Sequence, residues 1–555
     1  TKPFIHIEAG DTFDELKKNA RNGYFEKLIK EYLLDNNHKS IISLVPEYGL
    51  EKEKEQKEAD KLAEYKSTLT NDELEELVKK TKELKEYQDT PSSQEDLEKI
   101  PMLELSDIKR EPAKDYNDVK SVDGIKIVHH NIFTNKIAYI NMSFDTKCVP
   151  DELIPYMGLL GSTLSLMDTK NYTYPELTNE ININCGGLAT GTALYSDKVD
   201  FSKNTIVYEV KSKALYEKVP FVLGMMEEIM YNTRFDDYKR LKEIIARIKS
   251  RLEASLMGQG HSIAMLECCA QFSESAYYSD ILRGYKYYEF IKKLDEEFEQ
   301  NKTQIVDKLN KLVGYIFNKD NVIVSLTADD EGYDCFVKAL SAKSCNIKDE
   351  HYNTAVRSFI PVNVKTGYTS ASQVQYVARC GNFVKDGYKY TGALKVLKVI
   401  FSYDYLWINV RVKGGAYGCM SGSSRNGDFY MVSYRDPNLE KTNDIYEGAA
   451  DYIRNFDVSR RDMVKFIIGT IGEIDAPLTP SAIGSRSFTH YMCNCTEDML
   501  RKDREEVLDA TVESIRELAP LIESAVGQNY LCVVGNQKQI NEAADLFDEI
   551  KPLIG

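Results

Sequence analysis

Apolar and polar positions divide the chain into stretches of different period. Thr12-Phe-Asp-Glu15 reads as a capping box that opens a helix, and a second helical stretch runs from about Tyr24 to Leu34. Ser40-Ile-Ile-Ser-Leu-Val-Pro46 then reads as one isolated strand, apolar on both faces. A lone strand leaves its backbone and side chains without partners, so its sheet must lie elsewhere. Residues 51 to about 88 are dominated by Glu, Lys and Leu, and a second capping box, Thr70-Asn-Asp-Glu73, splits them into two helices. In the second helix Leu74, Leu77, Val78, Thr81 and Leu84 recur at i, i+3, i+4, i+7 and i+10, which is one helix face. The pair predicts a helical hairpin. From Asp89 to about Lys120, three prolines (Pro91, Pro101, Pro112) and many charges predict an extended surface linker.

The remainder has the pattern of a degenerate repeat. A strand over Ile137–Phe144 leads to helix-compatible runs from Glu152 and Tyr174, then Gly186-Gly187, then strand-like Ala189–Tyr195. Further on, a strand over Val374–Cys380 leads to a helix-compatible run, Gly414-Gly415, then strand-like Phe429–Tyr434. Long helical patterns follow in each copy, over 214–257 in the first and over 439–456 and 460–473 in the second, and each copy closes with an apolar strand, 321–327 or 529–535. Sheet plus helices, duplicated, predicts an α+β fold with two similar domains, 121–350 and 351–555, preceded by 50–120 as hairpin and linker and by 1–49 as a leftover.

At 555 residues and 43% hydrophobic the chain can bury more than one core, and its length alone suggests about three to four domains. No apolar run approaches the roughly 18 residues that would argue for a membrane span, and no targeting segment is expected near Thr1. The formal net charge of −16 argues against nucleic acid as a partner and is compatible with basic peptides as ligands. Eleven cysteines, irregularly placed and without a C-x-x-C, predict free thiols in a reducing compartment, the cytoplasm or an organelle matrix. Seven histidines (His6, His38, His129, His130, His261, His351, His490) give neither His-x-x-Glu-His nor His-Glu-x-x-His. His129 and His130 are neighbours, so in a strand they point to opposite faces. No Gly-x-Ser-x-Gly elbow, Walker A or dinucleotide fingerprint occurs.

The most informative stretch is Arg411-Val-Lys-Gly-Gly-Ala-Tyr-Gly418, followed by Gly427-Asp-Phe-Tyr-Met-Val-Ser-Tyr-Arg-Asp-Pro-Asn438. An apolar, helix-compatible run from Leu394 to Val410 ends at a basic residue and a glycine pair, whose conformational freedom permits a tight turn and close approach of a ligand. Arg411 and Tyr417 flank that turn with a planar fork of donors and a phenolic hydroxyl, groups able to hold a carbonyl or stabilise developing negative charge. Taken alone, the stretch reads first as a helix C-cap with a basic last turn, and only its context favours a site. Arg435-Asp436 before Pro437 reads as a strand-end turn with an internal ion pair. The Tyr-rich patches Tyr277-Tyr278 and Tyr285–Tyr288 read as half-buried helix faces.

Arg411–Tyr417, Ser433–Asn438 and Ile474-Asp-Ala-Pro-Leu-Thr-Pro480, in this order, resemble the C-terminal half of a presequence-protease-type zinc metallopeptidase, a branch of the insulinase/pitrilysin family. Tyr24–Ile29, His38–Pro46 and the helices after them extend the resemblance to almost the whole chain. It implies that a zinc-binding N-terminal half, with the family's His-x-x-Glu-His, precedes residue 1; that 1–49 is a remnant of that half; and that this chain itself binds no catalytic metal and is inactive alone. It implies unstructured peptides as substrates, and Arg411 and Tyr417 as the residues that reach the scissile carbonyl, with Gly414 and Gly415 as supports. The first copy has Cys185-Gly-Gly-Leu-Ala-Thr-Gly191 at the corresponding turn and lacks both. The other reading within the same fold is a non-catalytic scaffold or peptide-binding subunit.

Overall fold

The computed structural model describes residues 3–45, 47, 49–90, 92–343 and 346–554. Pro46, Pro91 and Cys345, on which parts of the sequence reading fell, lie outside them. The chain divides into two compact units, 1–102 and 103–555.

In the first unit a helix spans Gly10–Ala20, with Ala9 at its N-cap and no capping side chain. The capping box expected at Thr12 is therefore not formed: both Thr12 and Glu15 already lie inside the helix. Helix Tyr24–Leu28 continues as a π-helix over Ile29–Leu34, so the stretch expected there is present with a widened last turn. The strand expected over 40–46 is absent among the described residues. No ladder includes residues 40–45, and Ile41 and Leu44 are 99% and 96% exposed; a strand exists only against a partner. Helices Leu50–Thr68 and Asn71–Asp89 meet at Thr70, whose hydroxyl accepts from the Glu73 N–H while its own N–H donates to Glu73 Oε2 at 2.8 Å. The expected box is there, but Leu77, Val78 and Leu84 of the apolar stripe stand exposed.

The second unit holds two six-stranded sheets. The strands are β1 (Asp118–Val122), β2 (Ile125–Asn131), β3 (Ile137–Asp145), β4 (Leu188–Ser196), β5 (Asn204–Leu215) and β6 (Val322–Ala328), then β7 (Thr366–Ser370), β8 (Tyr376–Asn382), β9 (Gly418–Ser423), β10 (Asp428–Tyr434), β11 (Tyr530–Asn536) and β12 (Glu549–Pro552). The sheet orders are β1-β2-β6-β3-β5-β4 and β12-β7-β11-β8-β10-β9. Five strands correspond one to one, each copy opening on a strand parallel to its closing strand (β2 with β6, β7 with β11) and antiparallel elsewhere. Only the added edge differs: β1 joins β2 antiparallel, whereas β12 joins β7 parallel.

This register corrects the sequence alignment of the copies. The counterpart of β4 is β9, which begins at Gly418 shortly after Gly414-Gly415, and Phe429–Tyr434 lies in β10, the counterpart of β5. The helical pattern expected from Ala214 begins later, with helices Val219–Tyr231 and Tyr238–Gly258, because Ile206, Tyr208 and Val210 alternate into the core as a strand. The expected linker is also shorter and less extended. It contains a helical turn, Gln94–Glu98, capped by Ser93, and from Leu103 onward it belongs to the second unit. There Leu105 and Ile108 pack on the second core, Arg110 Nη2 pairs with Asp509 at 2.7 Å, and the Tyr116 N–H donates to Ser487 Oγ. Asp123 and Gly124, both at positive φ, then turn β1 into β2.

One face of each sheet carries its own core; the other is covered by a helix from the opposite copy. Helix Gly260–Ala270 lays Ala264, Cys268 and Cys269 on Tyr376, Ala378 and Cys532 of the second sheet. Helix Pro480–Met492 lays Phe488 beside Val128, Tyr195 and Val207 of the first. Both contacts are close: a Cβ on Gly260 would fall 2.3 Å from the Tyr376 ring, and one on Gly484 would fall 1.9 Å from Thr327 Oγ1. The expected half-buried tyrosines lie deeper than predicted, with Tyr278, Tyr285, Tyr287 and Tyr288 inside these cores. Tyr278 and Tyr287 join the first core, and Tyr285 and Tyr288 the joint between the copies. His129 and His130 do face opposite ways, towards Tyr333 and Phe488, and both are buried. Every cysteine among the described residues is a free thiol.

A carboxylate pair sits within the crossing of helix 260–270. Tyr368 donates to Glu267 Oε2 at 2.7 Å, and Lys286 Nζ lies 3.1 Å from fully buried Asp280. Burial, then the neighbouring Asp280 charge, pushes the Glu267 carboxyl up to about 8. Its folded value lies above its unfolded one, so between the two the native state holds a proton that the unfolded chain has released. Stability from this site should be full below about pH 4.5 and fall as pH rises towards about 8. We expect the melting temperature to drop between pH 5 and pH 8.5, and Glu267→Gln to shrink that drop; an equal drop in both proteins would contradict it. Gly484→Ala should lower stability by about 1–3 kcal/mol through overpacking. Gly527→Ala, where a Cβ meets nothing within 4 Å, serves as the control in the same denaturant titration.

Candidate functional site

The apolar run that leads to the Gly-Gly turn is not one helix. Helix Ala393–Tyr403 buries Leu394, Leu397, Ile400 and Phe401, breaks at Asp404, and is followed by a π-helix over Trp407–Val412. Its wider turn is visible in the Lys413 N–H, which donates to the Ile408 carbonyl at 2.9 Å. The end is then closed by nested bonds: Gly415 N–H to the Arg411 carbonyl at 2.8 Å and Ala416 N–H to the Val410 carbonyl at 3.1 Å. This is the pattern of a Schellman end, one residue wider as the π-turn requires. Gly415 sits at φ +84°, and a Cβ on Gly414 would fall 2.3 Å from the Val410 carbonyl oxygen. Both glycines are thus required by the geometry of the turn.

Ser433–Asn438 braces this turn from the other side. Tyr417 N–H donates to the Tyr434 carbonyl at 3.1 Å, pairing β9 with β10, and Asn438 Nδ2 donates to the Gly414 carbonyl at 2.6 Å. Asp436 is fully buried, accepts from the Asn438 N–H and from Thr442 Oγ1, and is raised by burial above the ordinary carboxylate range. The expected Arg435–Asp436 ion pair is not formed. Asp436 is spent on holding its own turn, and left-handed Arg435 directs its guanidinium to the Tyr434 ring, 5.5 Å away.

Arg411 and Tyr417 are brought together. The Arg411 guanidinium lies 3.9 Å over the Trp407 ring and 5.9 Å from the Tyr417 ring. Tyr417 is 67% exposed and leans edge-on against Tyr434 at 5.9 Å. Among the described residues, neither the guanidinium nor the Tyr417 hydroxyl has a hydrogen-bond or ion-pair partner, so their donors are unspent beside a cluster of aromatic rings. Burial, partly offset by the nearby Arg411 charge, pushes the thiol of Cys419 on β9 up to about 11, which disfavours its thiolate.

Three members of this aromatic cluster were not singled out from the sequence. Trp407, the only tryptophan in the chain, stands four residues before Arg411, a helix spacing that could have revealed it. Tyr434 lay inside the quoted motif without a role. His261 left no signal: helix 260–270 carries it across from the other copy to stand edge-on to Tyr434 at 4.9 Å, its buried Nδ1 without a partner among the described residues. The matching turn of the first copy, Gly186-Gly187, also enters an edge strand (β4) with its second glycine left-handed, at φ +108°. Among the described residues, no three His, Cys, Asp or Glu side chains are grouped to hold a metal ion. None of the helices among them is long and apolar enough to cross a membrane.

Comparison with known proteins converges on one family. A profile described as peptidase M16 (subgroup C) associated matches residues 44–294, and one described as the PreP C-terminal domain matches 367–536. Protein HypA of Clostridium perfringens is 39% identical over 557 aligned residues, covering 100% of this chain and 56% of that protein. Presequence protease 1, chloroplastic/mitochondrial, of Arabidopsis thaliana is 30% identical over 99% of this chain and 52% of its own length. The chain thus spans about half the length of these relatives. The peptidase M16 inactive domain from Pseudomonas fluorescens shares the fold with a TM-score of 0.54 at 14% identity, over 79% of this chain and 98% of that one. With its duplicated α+β sheets and its matching profiles, the chain belongs to the presequence-protease branch of the M16 (insulinase) peptidase family, of which it represents the C-terminal half.

Proposed function

We propose that this chain is the substrate-facing half of a zinc endopeptidase that degrades unfolded peptides in a closed chamber, with Arg411 and Tyr417 as its contribution to the chemistry. The observation that carries this reading is the pair of unspent donors, a guanidinium fork and a phenol, held side by side on Trp407 and Tyr434 over a turn braced by Asn438. Such a pair offers hydrogen bonds to a carbonyl oxygen as it gains negative charge, and an already ordered platform does so with little reorganisation. A scaffold has no need for two uncommitted donors at one point.

The zinc ion of the family finds no fitting ligand set among the described residues. In this reading, as the family resemblance implies, metal, water activation and general base come from an N-terminal half, the first partner of this chain. Phe4, Ile5, Ile7, Phe25, Ile41, Ile42 and Leu44 support that partner: large apolar side chains this exposed need a protein surface to cover them. Unstructured peptides are the second partner.

In the longer protein, Tyr417→Phe removes one hydroxyl and almost no volume. Its turnover should fall roughly one hundredfold, on the order of 3 kcal/mol, with KM and melting temperature nearly unchanged. Arg411→Lys keeps the charge but loses the planar fork, and should not restore turnover. Unchanged single-turnover rates with a lowered melting temperature would end the catalytic assignment and leave the pair as a helix cap.

A further inference from the structure

The turn of the first copy that corresponds to the Arg411 site opens on a cavity. Helix 480–492 covers the outer face of the first sheet only partly, and between it and strands β3–β6 a space of about 420 Å³ remains, bordered by Gly186-Gly187. At the corresponding place in the second copy, the rings of Tyr376, Tyr434 and His261 stand together. Same topology, one site filled and one open: the open one has its own chemistry.

Two lysines on one face of β5, Lys211 and Lys213, border the cavity, and their states differ. Lys211 Nζ lies 2.5 Å from Glu209, a buried carboxylate that also accepts from Asn141 Nδ2 at 2.8 Å and Tyr195 OH at 3.1 Å. That charge is already neutralised. Lys213 has no ion pair or side-chain hydrogen bond among the described residues. Its stem is nevertheless placed: a Cβ on Gly186 would fall 2.6 Å from Lys213 Cε. Gly186, unlike Gly187, does not have a positive φ, so its backbone does not demand glycine; the lysine stem occupies the space of its side chain. The hydroxyl residues Thr327 and Ser485 border the same cavity from β6 and from helix 480–492.

We infer that this cavity is a second peptide-anchoring site, one that takes a carboxylate of the substrate against Lys213. The inference rests on the peptidase reading above for the nature of the ligand. One uncompensated ammonium with hydroxyl donors beside it suits a monoanion that accepts several hydrogen bonds. A phosphate dianion would call for a second free cation, and Lys211 is already paired. The volume suits a residue or two of a peptide rather than its length. The carboxylate comes either from the peptide's C-terminus or from an Asp or Glu side chain.

Three unstructured peptides separate these sources: one without Asp or Glu and with a free C-terminus, the same peptide amidated, and the amidated peptide with one internal Glu. Binding to this chain is read by fluorescence anisotropy, for the unaltered protein and for Lys213→Met, Gly186→Ala and Lys239→Met, the last an exposed lysine away from the cavity. At least one carboxylate-bearing peptide should bind about tenfold tighter than the amide, the size of one charge-assisted hydrogen bond. Lys213→Met and Gly186→Ala should abolish that preference and Lys239→Met should preserve it. Preference for the free terminus alone assigns the site to peptide ends; preference for the Glu peptide assigns it to acidic side chains. Equal affinity for all three peptides, a preference that survives Lys213→Met, or no binding of any of them overturns the inference. The peptidase-half reading stands or falls separately, on the turnover of Tyr417→Phe.

Discussion

The reciprocal crossing of two helices is the contact on which the 103–555 unit depends. Each sheet packs one face on its own helices and would leave the other bare. Helix 260–270 closes the second sheet and helix 480–492 partly closes the first, so neither copy completes its burial without the other. Gly260 and Gly484 set the distance, since a single added carbon at either would strike the facing strand. The joint also encloses the Glu267 and Asp280 carboxyls, with the partly exposed Lys286 beside Asp280, and burial raises Glu267 there.

That crossing also composes the candidate site. Arg411 and Tyr417 come from the second copy, but the aromatic floor beneath them is shared with His261 of the first. The π-turn, the two glycines and the Asp436–Asn438 brace are all local to the second copy and fix the turn before any long-range contact is counted. Duplication then diverged by filling: aromatic rings stand together at one Gly-Gly turn, and at the other an uncompensated lysine faces open space.

What the sequence revealed follows the range of the forces involved. The Thr70 box, the closing strands β6 and β11 and the glycine turn are local, and their spacing was enough. The box at Thr12 failed because a Ser/Thr-x-x-Glu pattern caps only where the backbone before it is extended, and here the helix had begun at Gly10. The β1–β2 hairpin was missed although Val119–Val122 and Ile125–Val128 flank an Asp-Gly pair, a strong short-range turn signal. The alignment of β4 with β10 instead of β9 came from strength of alternation: Gly418–Ser423 is a weak strand by composition, made by its edge pairing. Trp407 was legible by spacing; His261 and the two covering helices were not, since nothing local specifies which sheet a helix will cross to.

The strap from Leu103 to Asn117 has a consequence for the order in which the unit forms. It is the first part of the unit to be synthesised, yet Arg110 reaches Asp509 across 399 positions and Tyr116 reaches Ser487 across 371. Contacts of that span cannot form until nearly the whole unit exists, and closing so long a loop carries the entropy of everything between. Those two contacts therefore close only once the end of the unit is present, whereas the Tyr116 carbonyl already has a local partner in His130 Nδ1 of β2. Like a drawstring, the strap is held to the first sheet at one point and fastened to helices close to the end of the unit at the others.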